Sequence, residues 1–176
     1  MHFGLFLILL LMSQGYESQP FTVVQKYENF EVRFYPSVAM VETESSPGST
    51  QNFRKLFQYL SGANETRLKI AMTTPVHMEQ TEGKEKMAFV LPRNLEQPPN
   101  PQNESLKIIQ SKEGYFAAIP YGGYSNPSKV QYYTQLLLQA LNKKNIRPIG
   151  NAVQLGYNSP YKFFNRQNEI IIAVAY

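Results

Sequence analysis

One order of local patterns, strand, helix, strand, strand, occurs twice along the chain, and it restricts the architecture more than any other feature. In the first run Phe30, Val32 and Phe34 alternate with Glu31, Arg33 and Tyr35, the period of a strand with one buried face. Pro36 interrupts it and residues 38–41 resume it. A turn-rich stretch, Ser45 to Ser49, leads to Phe53, Leu56, Phe57 and Leu60, spaced as one stripe of a short amphipathic helix. Ser49 or Thr50 is placed to cap that helix and Gly62 to end it. Leu68, Ile70, Met72, Thr74, Val76 and Met78 then take every second position, which predicts a strand bent at Pro75. Met87, Phe89 and Leu91 predict its hairpin return.

A proline- and asparagine-rich loop, residues 92–105, joins the two runs. Residues 106–110 and 115–121 read as strands, and Asn126-Pro127 is a helix start with a capping residue and proline at the first position. Val130, Tyr133, Leu137 and Leu141 form the buried stripe, with Lys143 and Lys144 at the negative end of the helix dipole. Val153, Leu155 and Tyr157, and then Ile170, Ile172 and Val174, predict the last two strands. The natural closure is an α+β fold: one curved antiparallel sheet or distorted β-barrel, built from the duplicated unit, with two helices packed on it.

With 176 residues, 43% of them hydrophobic, a single domain can bury an adequate core. Residues 3–12 are almost wholly apolar, too few to span a bilayer, and Ser13-Gln14-Gly15 supplies small residues for cleavage. The reading is a signal peptide over residues 1–15, a mature domain over 16–176, and an extracellular protein with no membrane span after cleavage. Sequons at Asn64 and Asn103 fit that route.

Several chemistries are excluded. The net charge of +4 comes without clustered Lys/Arg runs, so nucleic acid is not an expected partner. There is no cysteine, and His2 and His77 are the only histidines, so thiolate and multi-imidazole metal sites are out of reach. His77 falls on the more polar side of its predicted strand and reads as a solvated histidine. No triad, phosphate loop or acid/base pair is recognisable, so the chain is expected to bind rather than catalyse. Phe53, Phe57 and Leu60 with Arg54 and Lys55 nearby would suit a large flat apolar ligand with anionic edges, the shape of a tetrapyrrole, although such a stripe is more often simple core.

Glu31-Val32-Arg33-Phe34-Tyr35, Phe57 to Asn64, Lys69-Ile70-Ala71-Met72-Thr73-Thr74-Pro75-Val76, Tyr121-Gly122-Gly123-Tyr124, Gly156 to Lys162 and Arg166 to Ile170 follow in an order that resembles the SOUL, or heme-binding protein, family. The resemblance covers about residues 27 to 175 and implies a distorted barrel flanked by two helices that binds haem or free porphyrin. It implies a porphyrin surface at Phe53, Arg54, Phe57 and Leu60, with Lys162 for a propionate. Where some relatives carry a histidine proposed as axial ligand, this chain has Phe34. Met72, Met78, a tyrosine or His77 are the remaining donors, so weak binding without histidine ligation is expected. The competing expectation is an extracellular protein-interaction module that keeps the fold without a cofactor.

Overall fold

The computed structural model describes residues 16–47, 51–81, 83–159 and 161–176. The expected signal peptide and the expected helix caps Ser49 and Thr50 lie outside the described residues. The chain runs through β1 (Glu17–Ser18), β2 (Thr22–Lys26), β3 (Glu31–Tyr35), β4 (Ala39–Ser45), α1 (Asn52–Leu60), β5 (Thr73–Thr74), β6 (Val76–Thr81) and β7 (Lys84–Val90). It continues through β8 (Leu106–Gln110), β9 (Gly114–Gly122), α2 (Pro127–Lys143), β10 (Arg147–Gly156) and β11 (Gln167–Ala175). The class is α+β: two helices and a nine-stranded sheet of order β2-β3-β9-β11-β10-β6-β7-β4-β8, every ladder antiparallel. β1 pairs separately with β5, in parallel.

The duplication is visible in that order. If β3, β4, α1, β6 and β7 correspond to β8, β9, α2, β10 and β11, the order from β3 to β8 reads the same from either end, with the β6–β10 pair at its centre. The first strand of each half has crossed over: β3 pairs with β9, and β8 pairs with β4. Among the described residues no ladder joins β2 to β8, so the expected barrel is not closed by hydrogen bonds and the open-sheet alternative describes the pairing.

Both helices pack on one face. Leu137 and Leu141 of α2 meet Val32, Ala117, Ile119, Ile170 and Ile172, and Leu56, Tyr59 and Leu60 of α1 meet Val41 and Phe89. α2 begins as predicted, Asn126 accepting from the Lys129 N–H at 2.8 Å with Pro127 at the first helical position. Among the described residues no side chain caps the start of α1, and Gly62, at φ +109°, stops it, in the backbone region that favours glycine.

Neither helix touches the other face, yet Met40, Ala88, Val90, Ala118, Leu155 and Ile171 are buried on it. A flat sheet would leave these side chains in water, so the sheet must bend around them. Residues 17–21 help to cover them. The Gln19 N–H donates to Thr74 O at 2.8 Å, and the Phe21 ring lies 4.2 Å from the Arg33 guanidinium.

This face holds a buried polar network. Arg33 donates to both oxygens of Glu169, at 2.9 and 2.8 Å, and to the Tyr35 hydroxyl at 3.2 Å. Tyr157 donates its hydroxyl to Glu169 at 2.6 Å. Burial alone would lower the Arg33 pKa, but the bonds and charge of Glu169 outweigh it and raise the value. Burial, reinforced by the neighbouring Glu169 charge, pushes the Tyr157 phenol up, so it stays a proton donor.

Two expectations need correction. The alternation in β3 predicts Arg33 and Tyr35 on a solvated side, whereas both are buried in this network. His77, expected to be solvated, lies on the same covered face, beside Leu155 and Ala88 in the ladders. Gln19 Oε1 lies 2.7 Å from His77 Nε2, and since an amide oxygen only accepts, Nε2 carries the proton. Burial lowers the imidazole pKa to about 4, which keeps the ring neutral.

Candidate functional site

The nine residues of α1 have too few apolar side chains to bury every side, so the helix commits one stripe to the core. That stripe is Asn52, Leu56, Tyr59 and Leu60. Asn52 donates to Ser45 Oγ at 2.7 Å, and Tyr59 donates its hydroxyl to Pro99 O at 2.9 Å. The sequence places Phe53 and Phe57 in the stripe, but accommodating Tyr59 turns them to its rim, 38% and 50% exposed. Their rings stack with centroids 6.2 Å apart, and Phe53 also meets the Phe89 ring at 5.1 Å. α1 therefore presents a rigid aromatic ledge anchored on the core and open to solvent on one side.

The chain after α1 supplies the facing wall. The predicted strand from Leu68 to Met78 forms only from Thr73 onward, and residues 68–72 enter no ladder. Asn64 holds that segment instead. Its Nδ2 donates to Tyr59 O at 3.1 Å and Leu68 O at 2.8 Å, and its Oδ1 accepts the Leu68 N–H at 2.9 Å. The Ile70 N–H donates to Leu60 O at 2.8 Å, fastening the segment to the last turn of α1. A groove of about 430 Å³ results, lined by Phe57, Leu60, Ser61, Lys69, Ile70 and Met72. Its lining residues are mainly apolar, with Lys69 and Ser61 as the polar ones and Met72 carrying a thioether.

Of the residues expected to meet a ligand, Phe57 and Leu60 line this groove and Phe53 adjoins it through the ring stack. Arg54 is exposed on α1 and is not part of the lining. Lys162 is exposed in the β10–β11 connection, where its N–H donates to Ser159 O at 3.0 Å. The Gly156–Val76 pairing sets that connection at the same end of the sheet as the start of β6, but no described contact joins Lys162 to α1. Sequence reasoning missed Ser61, Lys69 and Ile70 as lining. Lys69 and Ile70 are assigned to opposite faces by an alternation that an unpaired segment need not obey.

The expected acceptor Asn64 is fully buried with both amide hydrogens committed, so a glycan on it is incompatible with this fold. Asn103 stays on the surface, its Oδ1 accepting from the Ser105 N–H at 2.9 Å and the Ser105 hydroxyl at 2.8 Å.

An iron porphyrin divides into parts that the groove treats differently. Toward a macrocycle face the groove would present half-exposed Phe57 and the edges of buried Leu60 and Ile70, and Lys69 among its lining residues would offer a cation to a propionate. For iron the lining offers only the Met72 thioether, a soft donor. His77 is on the opposite face of the sheet, bonded to Gln19. Among the described residues no group of three or more His, Cys, Asp or Glu could hold a metal ion.

The profile of the SOUL heme-binding protein family matches residues 16–173. Human heme-binding protein 2 is 30% identical over 158 residues, covering 81% of this chain and 76% of that protein. Heme-binding protein 1 of Xenopus tropicalis is 24% identical over 173 residues, covering 89% and 91%. In fold alone, a hydrolase from Listeria innocua superposes with a TM-score of 0.60 at 12% identity, over 86% of this chain and 94% of that one. The EcmrR C-terminal domain does so at 0.61 and 9%, over 83% and 96%. With residues 16–173 spanned by the profile, the chain belongs to the SOUL heme-binding protein family.

Proposed function

We propose that the chain binds a tetrapyrrole, haem or free porphyrin, non-covalently in the groove beside α1, and that it acts by binding rather than catalysis. The observation that carries this reading is the half-exposed Phe57 at the mouth of a groove lined further by buried Leu60 and Ile70 and part-buried Met72, in a member of a heme-binding family. Phe53, Phe57 and Leu60 supply contact area for the macrocycle. Lys69 and, at the outer rim, Arg54 and Lys162 supply cations for the propionates, each weaker where water screens it. Bound haem would add redox-active iron, whose ligation here would depend on Met72 or on groups from outside the protein.

Binding led by the apolar face does not depend on iron. Absorbance titrations of the purified protein with hemin and with iron-free protoporphyrin are therefore expected to give similar affinities, and Phe57→Asp is expected to weaken both while leaving the melting curve nearly unchanged. Failure of both ligands to bind folded protein at micromolar concentration would remove this reading in favour of an interaction module of the same fold. Loss of the hemin spectrum in His77→Ala alone would move the site to the other face of the sheet.

The place of action is proposed to be extracellular, after removal of residues 1–15. Protein recovered from the medium of secretory cells is expected to begin near Tyr16 and to carry one glycan. That glycan should disappear in Asn103→Gln. Cell-retained protein starting at Met1 would contradict this.

A further inference from the structure

Among the described residues the most exposed aromatic side chains are gathered at one tip. In the β10–β11 connection Tyr161, Phe163 and Phe164 are 83%, 72% and 83% exposed. The connection is nevertheless braced. Arg166 Nη1 donates to Ser159 O at 2.8 Å and to Lys162 O at 2.9 Å, and the Gly123 N–H donates to Arg166 O at 3.3 Å. The Arg166 guanidinium also lies 4.5 Å from the ring of half-exposed Tyr124. Lys129, in the first turn of α2, donates to Gly122 O at 3.1 Å and adds a further cation to the same tip. The tip thus holds rings outward on a fixed base.

The cations of the tip also stand in a stretch of sequence without carboxylates. Residues 114–168 contain six Lys/Arg and no acidic residue, whereas residues 1–113 contain 11 Lys/Arg and 12 Glu. Glu169, the acidic residue that follows, is buried and paired with Arg33. Of the six cations, Lys129, Lys162 and Arg166 belong to the tip while Lys143, Lys144 and Arg147 lie toward the opposite ends of α2 and β10, and among the described residues no ion pair involves Lys162.

Aromatic rings among cations, without acidic residues, match the boundary between acyl chains and anionic headgroups, where rings settle at the interface and cations meet phosphate. A protein partner would ordinarily need a broader patch with charges of both signs at its rim. We propose that this tip docks on an anionic phospholipid surface, with Tyr161, Phe163 and Phe164 entering the interfacial layer and Lys129 and Lys162 facing the headgroups. Attachment is peripheral: no helix among the described residues is long and apolar enough to cross a membrane. The proposal goes beyond tetrapyrrole binding and does not rest on it.

The test uses tetrapyrrole-free protein beginning at Tyr16, which retains every described element, and vesicles of phosphatidylcholine with or without phosphatidylserine. The protein should sediment with the serine-containing vesicles, and raising the salt to about 0.5 M should release it. The triple variant Tyr161→Ser, Phe163→Ser, Phe164→Ser should lose about tenfold or more in partitioning with an unchanged melting curve, and Lys162→Glu should lose roughly tenfold. Because the chain has no tryptophan, Phe163→Trp gives a single reporter whose emission should shift to the blue on these vesicles. Wild-type protein that ignores both vesicles, or a triple variant that binds like wild type, overturns the proposal. An equal loss in Phe57→Ser overturns it by making the groove the lipid-binding surface. No vesicle binding together with a wild-type dimer that the triple variant dissociates overturns it in favour of a protein interface.

Discussion

Val32 and Arg33 are neighbours in β3, 0% and 6% exposed, and they report two different ways of closing a sheet. Val32 points under α2 into a cluster of aliphatic side chains, where stabilisation grows with the apolar area removed from water. Arg33 points to the face without helices, where Glu169, Tyr35, Tyr157 and Phe21 must all be in position to make its burial tolerable. The helix-covered face should therefore lose stability in proportion to atoms removed. The other face should respond to single changes far more than to matched ones.

The largest expected effect is at Arg33. Arg33→Met leaves the Glu169 carboxylate buried without its cation and should cost about 3–5 kcal/mol in urea unfolding. The double variant Arg33→Met, Glu169→Leu should recover most of that loss. If it does not, the network contributes more than mutual compensation, and the contrast between the faces must be redrawn.

His77 sharpens the comparison through pH. Its pKa is about 4 in the folded protein against an ordinary value of 6.5, so between those values the unfolded chain binds a proton that the folded one refuses. Stability from this group is complete above about pH 6.5 and falls as the pH drops toward 4, by up to about 3 kcal/mol. His77→Gln should flatten that part of the stability profile. An unchanged profile would mean that the imidazole is in contact with water.

On the helix-covered face, Val32→Ala should cost about 2 kcal/mol, without a compensating partner to be found. The smallest effect should come from the exposed arm of the network, which begins where Arg33 Nε donates to Glu31 at 2.9 Å. Lys26 lies 3.3 Å from Glu31 with 73% of its side chain in water, and Lys26→Ala should change stability by no more than about 0.5 kcal/mol. A cost approaching that of Arg33→Met would mean that the ion pairs act as one unit across both burial regimes.

This contrast also explains what could be read from the chain itself. Where burial is apolar, residue type and period suffice: Val41, Phe89, Ile119, Leu137 and Ile170 are all core positions. Asn126-Pro127 marks the start of α2 because capping is a local interaction. Arg33, Tyr35 and His77 are misread because a buried polar residue is recognisable only with its partner, and Glu169 lies 136 residues from Arg33. β2 is missed for the opposite reason, since all five of its residues are exposed and leave no alternation. At the candidate site, Phe53, Phe57 and Leu60 are legible as an apolar stripe. The groove is not, because its second wall is an unpaired segment positioned by the buried amide of Asn64. Neither the burial of Asn64 nor the loss of ladder pairing over residues 68–72 is signalled by residue type or period.

The position of β11 also bears on when the protein can fold. β11 follows every other described element in the chain, yet it lies between β9 and β10 in the interior of the sheet. During synthesis, β3, β4, α1, β6 and β7 emerge first, but β3 awaits β9 and the half of the sheet around α2 awaits β11. Pairings this distant in sequence carry a large loop-closure cost, so a nascent chain ending before Gln167 should remain open and vulnerable to proteases until release. A small loss at the carboxyl end would then be a folding lesion of the whole sheet, whereas the same loss from an edge strand such as β2 would only trim it.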